Sequence, residues 1–240
     1  MSSAWKPVVC LADSRLLFDS SAAGRALAAV LRANLPPVGA RAAYIGAANG
    51  DEPAFFSLFE AAMDRLGVAE RSFVRADFSA ADRAALARAD LVLLAGGDPA
   101  LAWRVFERTG LEAEIRARRD AGALLVGVSA GAVAMGWLVE HDRIGGAEPP
   151  LLSFRFVPGV VAAHEEAADW APLRRLLRRA ALPLPGYGIP AGGGLVYHPD
   201  GSLEPLGEPT LFLSPESTGP PCEALLVPSY VPETGSTRTS

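Results

Sequence analysis

The sequence predicts an α/β fold, a three-layer sandwich in which a mainly parallel central sheet is covered by helices on both faces. Three observations carry this. Short apolar runs read as strands buried on both sides, alanine- and arginine-rich segments with helical spacing lie between them, and the two alternate along the chain. At 240 residues and 50% hydrophobic, the chain can bury one large core, and nothing forces a two-domain split.

The expected strands are Pro7 to Ala12, Ala42 to Gly46, Arg71 to Val74, Leu91 to Ala95 and Leu124 to Val128. Between them fall the expected helices Ser20 to Ala33, Glu52 to Leu66, Ala80 to Arg88 and Pro99 to Arg119. Phe55, Leu58, Phe59, Ala62 and Leu66 recur at helical spacing, and Ser79-Ala80-Ala81-Asp82 has a cap residue and an early acid. Later in the chain, Gly159 to Ala163 is strand-like. Gly193 to Tyr197 and Leu203 to Leu206, joined through Pro199-Asp200-Gly201-Ser202, read as a hairpin closing a sheet edge, and Thr210 to Leu213 as a short strand. The domain is expected to span residues 1–213. Residues 214–240, rich in Pro, Ser, Thr, Gly and Glu, form a tail in which Ala224-Leu225-Leu226-Val227 could dock on the body or on a second subunit, giving a homodimer.

Composition narrows the partners. A net charge of −5 comes from 27 acidic and 22 basic residues that are interspersed, with no basic stripe to follow a phosphate backbone, so nucleic acid is not expected. No segment approaches the ~18 apolar residues of a membrane span, and residues 1–10 lack a signal-peptide core; a cytoplasmic protein is expected. Cys10 and Cys222 suit a reducing compartment, and three histidines without paired His/Cys spacing give no zinc motif. No cofactor and no metal are expected.

In parallel sheets of this kind, sites form at the carboxyl ends of strands. Gly127-Val128-Ser129-Ala130-Gly131 follows the run Ala123 to Val126 and precedes a helix-prone segment. A serine on a tight strand-turn-helix bend is held clear of its own backbone, which is one way to build a nucleophile. The competing reading is a small-residue turn packed under the sheet. Gly96-Gly97-Asp98-Pro99 ends the strand Leu91 to Ala95. Its glycines would let a backbone N–H reach a substrate carbonyl, joining the N–H of Ala130 as an oxyanion hole, while Asp98 and Pro99 are also an ordinary N-cap and first helical residue. His164 stands at the end of the run Gly159 to Ala163 and is the chosen base; His198 and His141 read as turn and loop residues.

These residues carry a resemblance. Leu94-Ala95-Gly96-Gly97-Asp98, then Gly127-Val128-Ser129-Ala130-Gly131-Ala132, His164, and Gly188-Ile189-Pro190 before a terminal hairpin look like the aspartyl dipeptidase (dipeptidase E) and cyanophycinase family of serine peptidases, over roughly residues 7 to 213. The resemblance implies a fold related to class I glutamine amidotransferases and flavodoxin-like proteins. It also implies Ser129 as nucleophile, His164 as base, and the N–H groups of Gly97 and Ala130 as oxyanion donors.

Two departures stand beside it. Where the family places a triad glutamate, this chain has Ala191, and an acid there can be worth about 10⁴ in turnover. Substitutes are Asp142, ranked first, and Glu165, Glu166 or Asp169. The family's aspartyl-cleaving members carry arginines shortly after the histidine, whereas this chain reads Glu165-Glu166-Ala167-Ala168-Asp169-Trp170. A neutral or cationic group is therefore expected near Glu165, Glu166 or Asp169, with Asp98 also at the substrate and Trp170 as an apolar wall. Arg174, Arg175, Arg178 and Arg179 read as the solvated face of the next helix. The expected function is hydrolysis of a small peptide or peptide-like amide through an acyl-enzyme on Ser129. The alternatives are a binding or scaffold protein that has lost hydrolysis, favoured by Ala191, and an esterase, suggested by the α/β-hydrolase-like order Ser129, Asp142, His164.

Overall fold

The computed structural model describes residues 5–140, 149–180, 182–215 and 222–229. Its centre is a seven-stranded sheet whose parallel part comprises β1 (Val8–Leu11), β2 (Arg41–Ile45), β3 (Glu70–Val74), β4 (Leu91–Leu94) and β5 (Leu124–Val128). The strands are buried on both faces because successive side chains point to opposite sides and each side has its own core. Val8, Cys10, Val92, Leu94 and Leu125 go to one cluster, and Val9, Leu11, Leu91, Leu93, Leu124 and Val126 to the other.

Helices α2 (Ala22–Ala33) and α3 (Pro53–Leu66) cover the second cluster with Leu27, Leu31, Phe59 and Met63. A short helix, α1 (Arg15–Phe18), precedes them. α4 (Ala80–Leu86) starts at the expected cap Ser79, and the early acid Asp82 completes a capping box with it. The first cluster is covered by α5 (Pro99–Thr109), α6 (Leu111–Asp120) and α7 (Ala130–Met135). The single helix expected from Pro99 to Arg119 is thus two: Gly110, at φ 76, ends α5 in the left-handed region, and α6 starts again at Leu111.

After α7 come the short strands β6 (Leu138–Val139) and β7 (Leu151–Leu152), then β8 (Val160–Ala163), α8 (Ala171–Arg179) and β9 (Gly186–Ile189). The expected hairpin is β10 (Gly194–Tyr197) with β11 (Leu203–Leu206), and β10 extends the central sheet antiparallel to β1. His198, expected in a solvated turn, sits at its tip with Nε2 2.8 Å from Oε2 of Glu204 across the hairpin. The sequence carried no sign of a second sheet. β12 (Thr210–Leu213) and β13 (Glu223–Leu226) leave the central sheet and pair as β13-β12-β9-β8, with β8 and β9 parallel. The segment Ala224 to Leu226 therefore docks on the body as an added strand.

The six-residue helix α7 is too short to hold itself, and the segment after β7 secures its end. Phe154 N–H donates to Ala134 O, Phe156 N–H to Met135 O and Arg155 N–H to Gly136 O. Phe154 is fully buried, with its ring 5.0 Å from that of Trp103 and 4.8 Å from that of Phe156. Phe154→Ala is expected to cost about 3–5 kcal/mol of unfolding free energy in a denaturant titration, and a loss below about 1 kcal/mol would contradict this anchoring role. The two thiols should also separate: burial pushes Cys10 up to about 12, while Cys222 is exposed. A disulfide exchange reagent should titrate one thiol in the native protein and the second only on unfolding; two fast thiols would contradict the burial of β1.

Candidate active site

Parallel register brings three strand ends level. Leu11 faces Val128 and Leu94 faces Gly127, so the turns after β1, β4 and β5 open side by side, with β5 between the other two. Ser129 leaves β5 at φ 51 and ψ −110, a conformation few non-glycine residues adopt. Its N–H donates to Leu11 O at 2.8 Å and its carbonyl accepts from Val133 N–H at 3.0 Å, so both backbone groups are tied down. Its hydroxyl makes no cap to α7 and is 2.7 Å from Nε2 of His164. Small residues make the bend possible. A Cβ on Gly131 would lie 2.1 Å from Leu94 O, and one on Gly127 would lie 2.5 Å from the Gly131 backbone.

His164 belongs to the other sheet. It follows β8 at φ 47, with its N–H donating to Ile189 O at 2.9 Å on the neighbouring β9. α7 packs between β5 and β8, and Trp137 N–H, just past its end, donates to Gly159 O at 3.0 Å, which sets β8 against the helix that begins at the serine. A pair 35 residues apart in sequence is thereby closed. A hydroxyl at this distance from an imidazole nitrogen can pass it a proton, which is what nucleophilic activation needs.

The Gly96-Gly97 turn lies beside the elbow. A Cβ on Gly96 would meet Ser129 Cβ at 3.3 Å, and Gly97, at φ 141, would drive one to 2.1 Å from Ala48 O. The brace behind the turn went unread in the sequence. Asp98 N–H donates to Ala48 O at 2.7 Å, and Asn49 Nδ2 donates to Gly96 O at 3.2 Å and to Tyr44 Oη at 2.9 Å. A Gly-rich turn gave no hint that the turn Ala47–Asn49 after β2 would support it. Asp98 caps α5, its Oδ1 accepting from Ala100 and Leu101 N–H.

A cavity of about 300 Å³ opens on one side of the pair and is lined by Asp98, Ser129, Ala130, His164, Glu165 and, beyond them, Glu140 and Arg175. Burial pushes the Glu165 carboxyl up, against the Leu173 N–H it accepts at 3.1 Å and the neighbouring His164, both of which pull it down. Arg175 was expected on a solvated helix face. It instead faces this cavity 3.8 Å from Glu140, which Arg179 also holds at 2.8 Å. Glu140 went unread and both arginines were read as solvated, although Arg175 and Arg179 at i, i+4 share one helix face.

Of the remaining expected residues, Trp170 is not a pocket wall. It is buried with Leu138, Val160 and Leu173, pressed over Gly188, whose absent Cβ leaves room for the indole. Ala191 N–H donates to Oε1 of Glu166 at 3.1 Å, so that acid bonds the backbone at the position of the missing glutamate. Among the described residues, no carboxylate hydrogen-bonds the ring of His164. Asp142 and His141 lie outside the described residues.

Among the described residues, no group of His, Cys, Asp and Glu is arranged to hold a metal ion, and no helix is long and apolar enough to cross a membrane.

The profile of peptidase family S51 matches residues 20–201. Among solved structures, a peptidase from an acI-B1 Actinobacterium superposes with a TM-score of 0.69 at 18% identity, over 94% of this chain and 96% of that one. A Listeria monocytogenes EGD-e protein assigned to peptidase E superposes with a TM-score of 0.62 at 14% identity, over 85% of this chain and 99% of that one. At such identities the likeness speaks for the fold. No curated protein gives a significant sequence match. With the profile spanning most of the chain and a serine on a strand-turn-helix bend inside the matched region, the chain belongs to peptidase family S51, the dipeptidase E and cyanophycinase family of serine peptidases.

Proposed function

We propose that the protein hydrolyses small peptides or peptide-like amides through an acyl-enzyme on Ser129. The observation that carries this reading is the 2.7 Å approach of Ser129 Oγ to His164 Nε2 at a serine held in strained backbone. His164 takes the hydroxyl proton as Oγ attacks the carbonyl carbon, and the N–H groups of Gly97 and Ala130 receive the charge that develops on oxygen. The carbon–nitrogen bond then breaks, with the leaving amine taking the proton from the imidazolium. Water, deprotonated by the same imidazole, releases the acid and restores the serine.

The charge of the cavity beside His164 argues against an acidic substrate. Asp98, Glu140 and Glu165 line it against the single guanidinium of Arg175, and an acidic group would have to displace Glu140 to reach that. A neutral or cationic group fits. Glu165 is also the half-buried carboxylate beside His164, placed to stabilise the imidazolium through space.

A fluorophosphonate probe tests the nucleophile. Wild type should be labelled, Ser129→Ala should not be, and His164→Ala should be labelled at least about 100-fold more slowly, the scale of general-base assistance. Folded wild type that resists the probe would overturn the acyl-enzyme reading and favour a binding protein.

Glu165→Gln tests the supporting charge. Because burial raises the Glu165 carboxyl in the folded state, its protonated form is the one the fold favours; that contribution is full below the unfolded value of about 4.3 and is lost as pH rises through the folded one. The glutamine variant should therefore melt higher than wild type at pH 7 and lose this advantage at pH 4. Its kcat should fall on the order of tenfold, the factor that about 1.4 kcal/mol of lost imidazolium stabilisation gives. Unchanged kcat would leave Glu165 no part in the reaction.

A further inference from the structure

A second cavity, of about 290 Å³, opens on Ser129 and His164 from the side of β1. Its walls come from α1 and α3, with Leu17 and Phe18 on one side and Phe55, Leu58 and Phe59 on the other. Phe55, Leu58 and Phe59 stand at i, i+3 and i+4, a spacing that reads as one core-facing stripe. The fold honours it only in part. Phe59 is buried at the base, while Phe55 remains 49% and Leu58 47% exposed. Large apolar side chains left half in water around a concave space are what an apolar ligand would cover.

Two polar side chains at this cavity, those of Asp13 and Tyr44, already have hydrogen-bond partners. Asp13 accepts from Arg15 N–H at 2.8 Å and from Gly192 N–H at 2.9 Å, and Tyr44 Oη accepts from Asn49. Among the described residues that line it there is no lysine or arginine, so a carboxylate placed here would lose its water without gaining a lysine or arginine partner. The space is at the lower limit of the ~300–1,000 Å³ that take drug-sized ligands, which suits one large side chain. Continuity with the serine decides the occupant, because a group seated between α1 and α3 lies next to Ser129 Oγ.

We propose that the cavity between α1 and α3 is the subsite for an aromatic or large aliphatic side chain on a residue flanking the scissile amide, so that this peptidase selects small hydrophobic peptides. The inference rests on the Ser129–His164 reading. Dipeptides X-Ala and Ala-X, with X as Phe, Leu, Ala, Asp or Lys, test it. In one of the two series, kcat/KM for Phe and Leu should exceed that for Ala by about 10- to 100-fold, the factor matching burial of such a side chain, and Asp should be the poorest. Leu58→Asp should collapse the Phe-to-Ala ratio to about threefold or less, with a melting curve reporting that the variant folds, and Leu58→Met should keep most of the ratio.

Hydrolysis with a labelled Ser129 but no hydrophobic preference overturns the subsite and leaves the nucleophile standing. If Ser129 is not labelled, the catalytic reading fails, and calorimetric binding of Phe-Ala and Ala-Phe decides the subsite by itself. Binding tighter than that of Ala-Ala and weakened at least tenfold by Leu58→Asp supports it; equal or undetectable binding overturns it. A Leu58→Asp variant that turns a dimer into a monomer in light scattering, with the Phe-to-Ala ratio intact, assigns the apolar face to a second copy of the chain and also overturns the subsite.

Discussion

Ser129 sits where the chain passes from β5 into α7 with no room for a side chain on either neighbouring glycine. The 2.1 Å that a Cβ on Gly131 would leave to Leu94 O means that α7 begins against β4 itself, and the bend at φ 51 is the backbone's way of making that approach. Much else depends on this contact. It points the hydroxyl away from α7, it brings the Gly96-Gly97 turn of β4 alongside the serine, and it starts the helix whose far end carries β8. The strain at Ser129 is tolerated because both of its backbone groups are bonded, to Leu11 and to Val133, and because Phe154 and the residues after it clamp the end of α7.

The two cavities that meet at the serine differ in chemistry for a reason rooted in the layers. The space beside His164 lies between α8 and the end of the second sheet, where Glu140, Glu165 and Arg175 are held half-buried by one another and by backbone N–H groups. The space on the other side lies between α1 and α3, which belong to the hydrophobic layer over β1, β2 and β4, and its walls are the outer margin of that core. A peptide bond laid across Ser129 would extend one flanking group into each. Such an arrangement can select by apolar burial on one side and by charge on the other without an arginine clamp.

The missing triad glutamate also has a structural counterpart. Glu166 reaches the N–H of Ala191, so a carboxylate bonds the backbone at the position where the family's acid would begin, with its Oε1 engaged there. Glu165 is the half-buried carboxylate next to His164, which pulls its titration down, and it is fixed by Leu173 N–H at the start of α8. Adjacent residues thus divide two tasks, one bracing the loop and one charging the site.

Much of this was written in local patterns. The five parallel strands, the capping box at Ser79, the hairpin and the elbow follow from burial on both faces of a strand, from cap and turn chemistry, and from glycines where a helix crosses a strand; each needs only a few consecutive residues to be legible. The break at Gly110 went unseen because helix periodicity continues on both sides of it. The second sheet was hidden because pairing between β8, β9, β12 and β13 depends on which edges are left open once the chain has folded. Arg175 and Glu140 in the cavity, Trp170 under Gly188 and the half-exposed face of Phe55 and Leu58 are likewise decided by packing between distant elements. The sequence by itself determined that a serine would stand on a strained turn at a strand end and that a histidine would end another strand. Only the tertiary structure decided that the two would meet, because their contact rests on the docking of α7 between two sheets, and long-range docking leaves no mark on local periodicity.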